Sequence, residues 1–215
     1  YQSRMKPLII GVYGTGQSGK SIFCGAFPKA YKQAMNNQEL NIWYISMSTD
    51  IKKSVQAMTG VKMVNLKNYL DDYTAYDFAY DYTSNDLSEK SVKHGDSEKS
   101  IGRILQDYAL EMKEREGENY WIDKALRKIG EHADVVILDG VRYQSDVLAI
   151  CERGGHIVKV YREDSEISGD RDKNHVSETE LAVYPFKHVF ENPTRDSVHI
   201  ANGVMRELIF KAYGG

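Results

Sequence analysis

The 215-residue chain has few cysteines, little net charge and no long apolar run, and each shortage narrows what it can be. Only two cysteines occur, Cys24 and Cys151, with neither a C-x-x-C spacing nor a histidine partner pattern. That argues against a disulfide framework or a thiolate metal site. Both thiols fall in segments with an apolar helical pattern, and both are expected as reduced core residues. A formal net charge of −3 and a pI near 6.1 give no global pull toward nucleic acid or anionic lipid, so any anion must be held by local groups. No stretch of 18 or more apolar residues and no signal peptide is present, which predicts a cytoplasmic protein without a membrane partner. The leader "YQSR" before Met5 reads as a cloning remnant. Internal repeats, low-complexity tracts and an N-K-x-D guanine-reading motif are also missing.

What is present is an alternation. Short β-branched or apolar runs recur at Leu8 to Tyr13, Ile42 to Ser46, Ala133 to Asp139, His156 to Tyr161 and Ser197 to Ala201. Each predicts a buried strand. Helical patterns lie between and after them, at Lys20 to Met35, Ile101 to Glu114, Tyr120 to Glu131, Tyr143 to Arg153 and Val204 to Tyr213. Strands alternating with helices imply an α/β fold, a three-layer αβα sandwich around a five-stranded parallel sheet. Two intervals break the rhythm. Lys67 to Ser100 is rich in Tyr, Asp, Ser and Lys and reads as a lid-like insertion or a poorly ordered loop. Arg162 to Glu178, "REDSEISGDRDKNHVSE", follows a strand end, where α/β proteins place ligand groups.

Between the first strand and the first helix stands "GTGQSGKS", Gly14 to Ser21, a match to G-x-x-x-x-G-K-[ST]. At average residue usage the pattern arises by chance in roughly one chain of this length in a hundred. Its position after a strand and before a helix lets successive backbone N–H groups and the positive helix end converge on a phosphate. Gly14, Gly16 and Gly19 permit close backbone approach, with Ser18 and Ile22 completing the cradle. Lys20 can reach β- and γ-phosphate oxygens, and the Ser21 hydroxyl can ligate Mg²⁺. A magnesium ion also wants a carboxylate, and "ADVVILDG" ends a buried strand on Asp139. Together the two elements predict binding of a nucleoside triphosphate with Mg²⁺.

The order and spacing of further segments resemble the bacteriophage-type deoxynucleoside monophosphate kinases, whose fold is shared with animal phosphomevalonate kinases. The segments are the loop itself, "DIKKSV", "GRILQDYALEMKE" followed by "YWIDKAL", "VILDGVRYQSDV" leading to "GGHIVKVYR", "HVSE" and "IANGVMREL". The resemblance implies a P-loop nucleoside monophosphate kinase-like domain over residues 5 to 215, with an acceptor-binding insertion over about 50–118 and a closing lid over about 162–180. It implies transfer of a phosphoryl group from ATP to a nucleoside monophosphate acceptor, in the host cytoplasm if the chain is phage-encoded. A homodimer is left open.

Carried onto this sequence, the resemblance places Lys52 or Lys53 near the acceptor. Arg103 and Gln106, three apart on one helix face, would grip the acceptor phosphate and read a base edge. Taken alone, Gln106 reads as a solvated helix residue. Arg142 matches an arginine that follows the strand-end acid, and Arg162, Arg171, His175, Ser177 and Glu178 fall in the lid. Asn202 matches an asparagine near the donor base. The tract Tyr69 to Asp81 offers rings that could stack an acceptor base. Two departures stand out. Gly140 occupies the place where the family carries its acid, one position after Asp139. The lid is also not strongly basic, because Arg162, Arg171 and Lys173 are interleaved with Glu163, Asp164, Glu166, Asp170 and Asp172. Phage enzymes of similar sequence type phosphorylate hydroxymethylated pyrimidines within DNA, which makes modified DNA the alternative acceptor. The acidic pI speaks against that polymer. A non-enzymatic nucleotide-binding switch is a third reading.

Overall fold

The computed structural model describes residues 6–14, 20–60, 91–94, 97–161 and 174–191. Five strands form one all-parallel sheet: β1 (Leu8–Tyr13), β2 (Ile42–Ser46), β5 (Val135–Asp139), β6 (His156–Tyr161) and β7 (His188–Glu191), in the order β2-β5-β1-β6-β7. β1 is central, pairing Ile10 with Ile137 of β5 on one side and with His156 of β6 on the other. A parallel strand buried on both faces needs apolar side chains at successive positions, and "LIIGVY" and "VVILD" supply them. Between β2 and β5, the short strands β3 (Ser91–His94) and β4 (Ser97–Ser100) make a separate antiparallel hairpin.

Helices cover both sheet faces. On one side α1 (Lys20–Ala34) lays Phe23, Cys24, Phe27, Ala30 and Tyr31 over Ile10, Val12, Ile137, Val158 and Val160. Each fully buried side chain of that size contributes about 2–3 kcal/mol by leaving water. On the other side stand α3 (Ile101–Glu116), α4 (Tyr120–Arg127) and α5 (Gln144–Cys151), whose Met112, Trp121, Ile122, Val147 and Ile150 pack on Ile9, Val136, Leu138 and Ile157. α5 sits close to β1 because Gly11 has no side chain: a Cβ there would lie 2.8 Å from Ile150 Cδ1 and 2.7 Å from Ile157 Cδ1. α2 (Ser48–Thr59) packs on α3 through Val55 and Ile104, and an Asp50–Lys128 ion pair of 2.7 Å ties it to the end of α4. A short helix, α6 (Val176–Thr179), is capped by His175, whose Nδ1 accepts the Ser177 N–H at 3.2 Å.

The expected parallel α/β class is observed, with adjustments. Tyr143 is extended rather than helical, so α5 starts at Gln144. α4 ends at Arg127, not Glu131, and tightens into i to i−3 hydrogen bonds from Lys128 to Ala125 and from Ile129 to Leu126. The hairpin occupies the end of the interval read as an insertion or loop. β7 was not anticipated, and the strand and helix expected at Ser197 to Ala201 and Val204 to Tyr213 lie outside the described residues. Cys151 corrects another expectation: it is exposed at the end of α5, whereas Cys24 is buried as foreseen.

Candidate functional site

The carboxyl ends of β2 and β5 and the start of α1 meet at a cavity of about 190 Å³, on the sheet edge where open parallel sheets bind ligands. Its rim on the sheet side carries Ser46, Asp139 and Lys20. Lys20 is the first residue of α1, and Ser21 and Ile22 follow within its first turn, so the positive end of a 15-residue helix faces this side. Gly14, at the end of β1, is buried. Gly16, Ser18 and Gly19 lie outside the described residues.

Asp139 is held from one direction. Tyr44, on the adjacent strand β2 two residues before the register partner Ser46, donates its hydroxyl to Oδ2 at 2.6 Å, while Oδ1 is buried with no hydrogen-bond partner among the described residues. The next residue, Gly140, has φ of 93°, a conformation that disfavours side chains and turns the chain back into the cavity. The sequence departure at this pair thus has a backbone reason. The carboxylate sits on the last strand residue, and the following position suits glycine. No group of three or more His, Cys, Asp or Glu side chains that could hold a metal occurs among the described residues. Magnesium needs fewer protein ligands than that, because it keeps water and shares phosphate oxygens. The orphan Oδ1, on a cavity that Lys20 also lines, fits such a ligand.

The opposite wall is built from α3, the turn after β5, and α6. Arg142 Nη1 donates to Glu178 Oε2 at 2.8 Å, and Gln106 Nε2 reaches Glu178 Oε1 at a longer 3.4 Å. Gln106 is 5% exposed, which corrects its reading as a solvated helix residue. Below them Asp146 is 1% exposed; its Oδ2 accepts the backbone N–H groups of Arg142 and Tyr143, each at 3.0 Å, and so anchors the turn to the start of α5. Burial raises the Asp146 carboxyl above the ordinary range, against those two hydrogen bonds and the charge of Lys113. Burial also lowers the Lys113 ammonium; it lies 3.2 Å from the centroid of the Tyr143 ring and 3.4 Å from Ser145 Oγ. The Tyr143 hydroxyl is pushed up to about 12, again chiefly by burial.

Five residues expected at the site therefore line one cavity: Lys20, Lys52, Gln106, Asp139 and Arg142. Of the pair Lys52 and Lys53, the first lines the cavity and the second is exposed. Arg103 does not reach it; its guanidinium lies 3.6 Å from Asp107, four residues along α3, with both side chains about 40% exposed. Ser177 and Glu178 line the cavity, and His175 caps the helix that carries them. Arg162, Arg171, Asn202 and the tract Tyr69 to Asp81 lie outside the described residues. Tyr44, Lys113, Tyr143 and Asp146 were missed, because nothing local marks a tyrosine or a lysine as facing a carboxylate far along the chain.

Neither a protein-family model nor a curated protein matches this chain. Among the described residues no helix is long and apolar enough to cross a membrane.

Proposed function

We propose that the chain is an ATP- and Mg²⁺-dependent kinase that phosphorylates a deoxynucleoside monophosphate to the diphosphate. One observation carries the reading. A single cavity at the strand ends collects, from three segments of the chain, Lys20 at a helix start, the buried amide of Gln106, and both the orphan Asp139 oxygen and Arg142. The all-parallel sheet with helices on both faces is compatible with a P-loop nucleoside monophosphate kinase-like arrangement, and "GTGQSGKS" supplies its loop.

In this reading Lys20 sets a positive charge beside the β- and γ-phosphates of ATP. Ser21 and Asp139 would hold Mg²⁺, which when bound offsets phosphate charge. Arg142 and Lys52 receive the acceptor phosphate, and Gln106 faces the acceptor base. An acceptor phosphate oxygen attacks the γ-phosphorus in line, a new P–O bond forms, and the bond to the β-phosphate oxygen breaks to release ADP. The acceptor oxygen is already ionised and needs no general base, so the residues contribute positioning and charge. Transfer to a hydroxymethyl group within DNA would instead require a carboxylate to take the hydroxyl proton.

A coupled assay of ADP release over a panel of deoxynucleoside monophosphates, with hydroxymethylated DNA alongside, tests the proposal. At least one free monophosphate is expected to drive turnover, and Lys20→Ala is expected to lower kcat/KM about 10²- to 10³-fold or more. Turnover with modified DNA alone would transfer the activity to the polymer acceptor. ATP binding without turnover on any acceptor would leave a nucleotide-binding switch.

A further inference from the structure

We propose that Glu178 is a positioning residue for the phosphoryl acceptor: its one carboxylate sets the Arg142 guanidinium and the Gln106 amide in the relative placement that acceptor recognition requires. The inference rests on the kinase reading and deepens it.

The two donors come from different parts of the chain, α3 and the turn after β5, and Glu178 comes from a third, α6. One oxygen takes Arg142 Nη1 at 2.8 Å and the other takes Gln106 Nε2 at 3.4 Å, so the spacing of the two donors is tied to a single planar group. The Glu178 side chain is 3% exposed. A carboxylate so far from water persists only where charge and hydrogen bonds compensate it, and Arg142 supplies both.

The carboxylate is itself on a fixed post. Leu181, just past α6, is fully buried in the core on this face, and Glu180 accepts the Gln144 N–H at 2.7 Å. His175 caps the other end of the helix. Arg142 is likewise held at its backbone, where Asp146 accepts its N–H. With main chain and guanidinium each bound to a buried carboxylate, the side chain has little freedom left. Such support matters because a displacement on the order of 1 Å in a substrate-holding group can cost a hundredfold in rate.

A different role for the same contact makes the opposite prediction. Were Glu178 a resident anion competing with the acceptor phosphate for Arg142, removing it would strengthen acceptor binding. The sign of the change in acceptor KM therefore decides. Steady-state kinetics on the full chain would compare wild type, Glu178→Gln, Glu178→Ala, Arg142→Ala and the double variant, varying acceptor and ATP separately, with melting temperatures recorded. Positioning predicts that Glu178→Ala raises acceptor KM about 10- to 100-fold, as loss of a supporting group does elsewhere, and leaves ATP KM within about twofold. In the Arg142→Ala background the second substitution should add less than about twofold, since its main target is gone. Glu178→Gln keeps the volume, and its one acceptor oxygen can serve only one of the two donors, so an intermediate rise is expected and serves if Glu178→Ala does not fold. A lowered acceptor KM, an equal rise in ATP KM, or additivity in the double variant would overturn the inference while the kinase reading stood. A wild type without acceptor-dependent ADP release would overturn both.

Discussion

The two faces of the sheet are built on different terms. On the α1 face, the core is the cluster from Phe23 to Tyr31 and the strand residues beneath it, and none of the buried polar or charged residues among those described lies on α1. On the other face lie the four buried polar or charged residues among those described: Gln106, Lys113, Asp146 and Glu178. Burying a charge costs several kcal/mol before its partners offset it, so the second face spends stability to hold a cavity. The first face is an ordinary packed core. The comparison teaches that a face can pack a full hydrophobic cluster, with Trp121, Ile122 and Ile150 buried in it, and still hold buried polar groups beside that cluster.

The largest effect should follow from damaging the core of the α1 face. Phe27 is 1% exposed and stacks on Tyr31 with ring centroids 5.4 Å apart. Phe27→Ala is expected to lose about 3–5 kcal/mol of unfolding free energy in urea titration. Acceptor and ATP KM should stay near wild type at a temperature where the variant is folded. A large change in either KM would break the division between the faces.

A smaller effect belongs to the cavity face and depends on pH. Tyr143 is raised from 10.0 to about 12 by burial first, then by Asp146, with Arg142 opposing and Glu180 adding. Its folded pKa lies above its unfolded one, so the stability it contributes is present below pH 10 and lost as pH rises toward 12. The loss amounts to about 2–3 kcal/mol at most. Lys113, lowered by burial against the charges of Asp146, Glu180 and Glu118, works the other way and adds stability as pH approaches 10.5. Urea titrations of wild type and Tyr143→Phe across pH 9 to 12 separate the two, with the phenylalanine variant expected to show the shallower alkaline fall. Parallel curves would remove the buried hydroxyl as the cause.

Smaller again is the effect expected at Tyr44. The Tyr44 ring packs against the α1 cluster, while its hydroxyl donates to Asp139 on the cavity. Tyr44→Phe keeps the packing and removes the donor, with an expected cost of about 1–2 kcal/mol, since a hydrogen bond to a half-buried carboxylate is lost. A change well below that would place the ring, and not the hydroxyl, as the useful part.

How much of this was legible follows the same division. β1, β2 and β6 have the bounds expected of them, because short runs dominated by β-branched and apolar residues stand out from the polar segments around them. Lys20 and Asp139 were readable because a loop motif and a strand end are local signals. Gln106 was readable in place but not in environment, since its burial depends on Glu178, 72 residues away. β7 was missed because "HVFE" is four residues long, too short for a period to show. Lys113 and Asp146 look like solvated helix charges until α3 and α5 are brought together.

The smallest expected effect concerns the two thiols, which looked alike in sequence and are not alike in the fold. Cys24 is 0% exposed on the α1 face, and its thiol is pushed well above the ordinary range, first by burial and then by the nearby Asp139 charge. Reactivity with a disulfide reagent needs a thiolate and access, and Cys24 has neither. Cys151 is exposed at the end of α5. The native chain should therefore release one equivalent of chromophore in a thiol titration, and the second only in denaturant. Cys151→Ser should abolish the fast phase while moving stability by less than about 0.5 kcal/mol, as exposed positions usually do. Two fast thiols would mean that the α1 face opens on the time scale of the assay, and that the dry core assigned to it is less closed than the cavity face opposite.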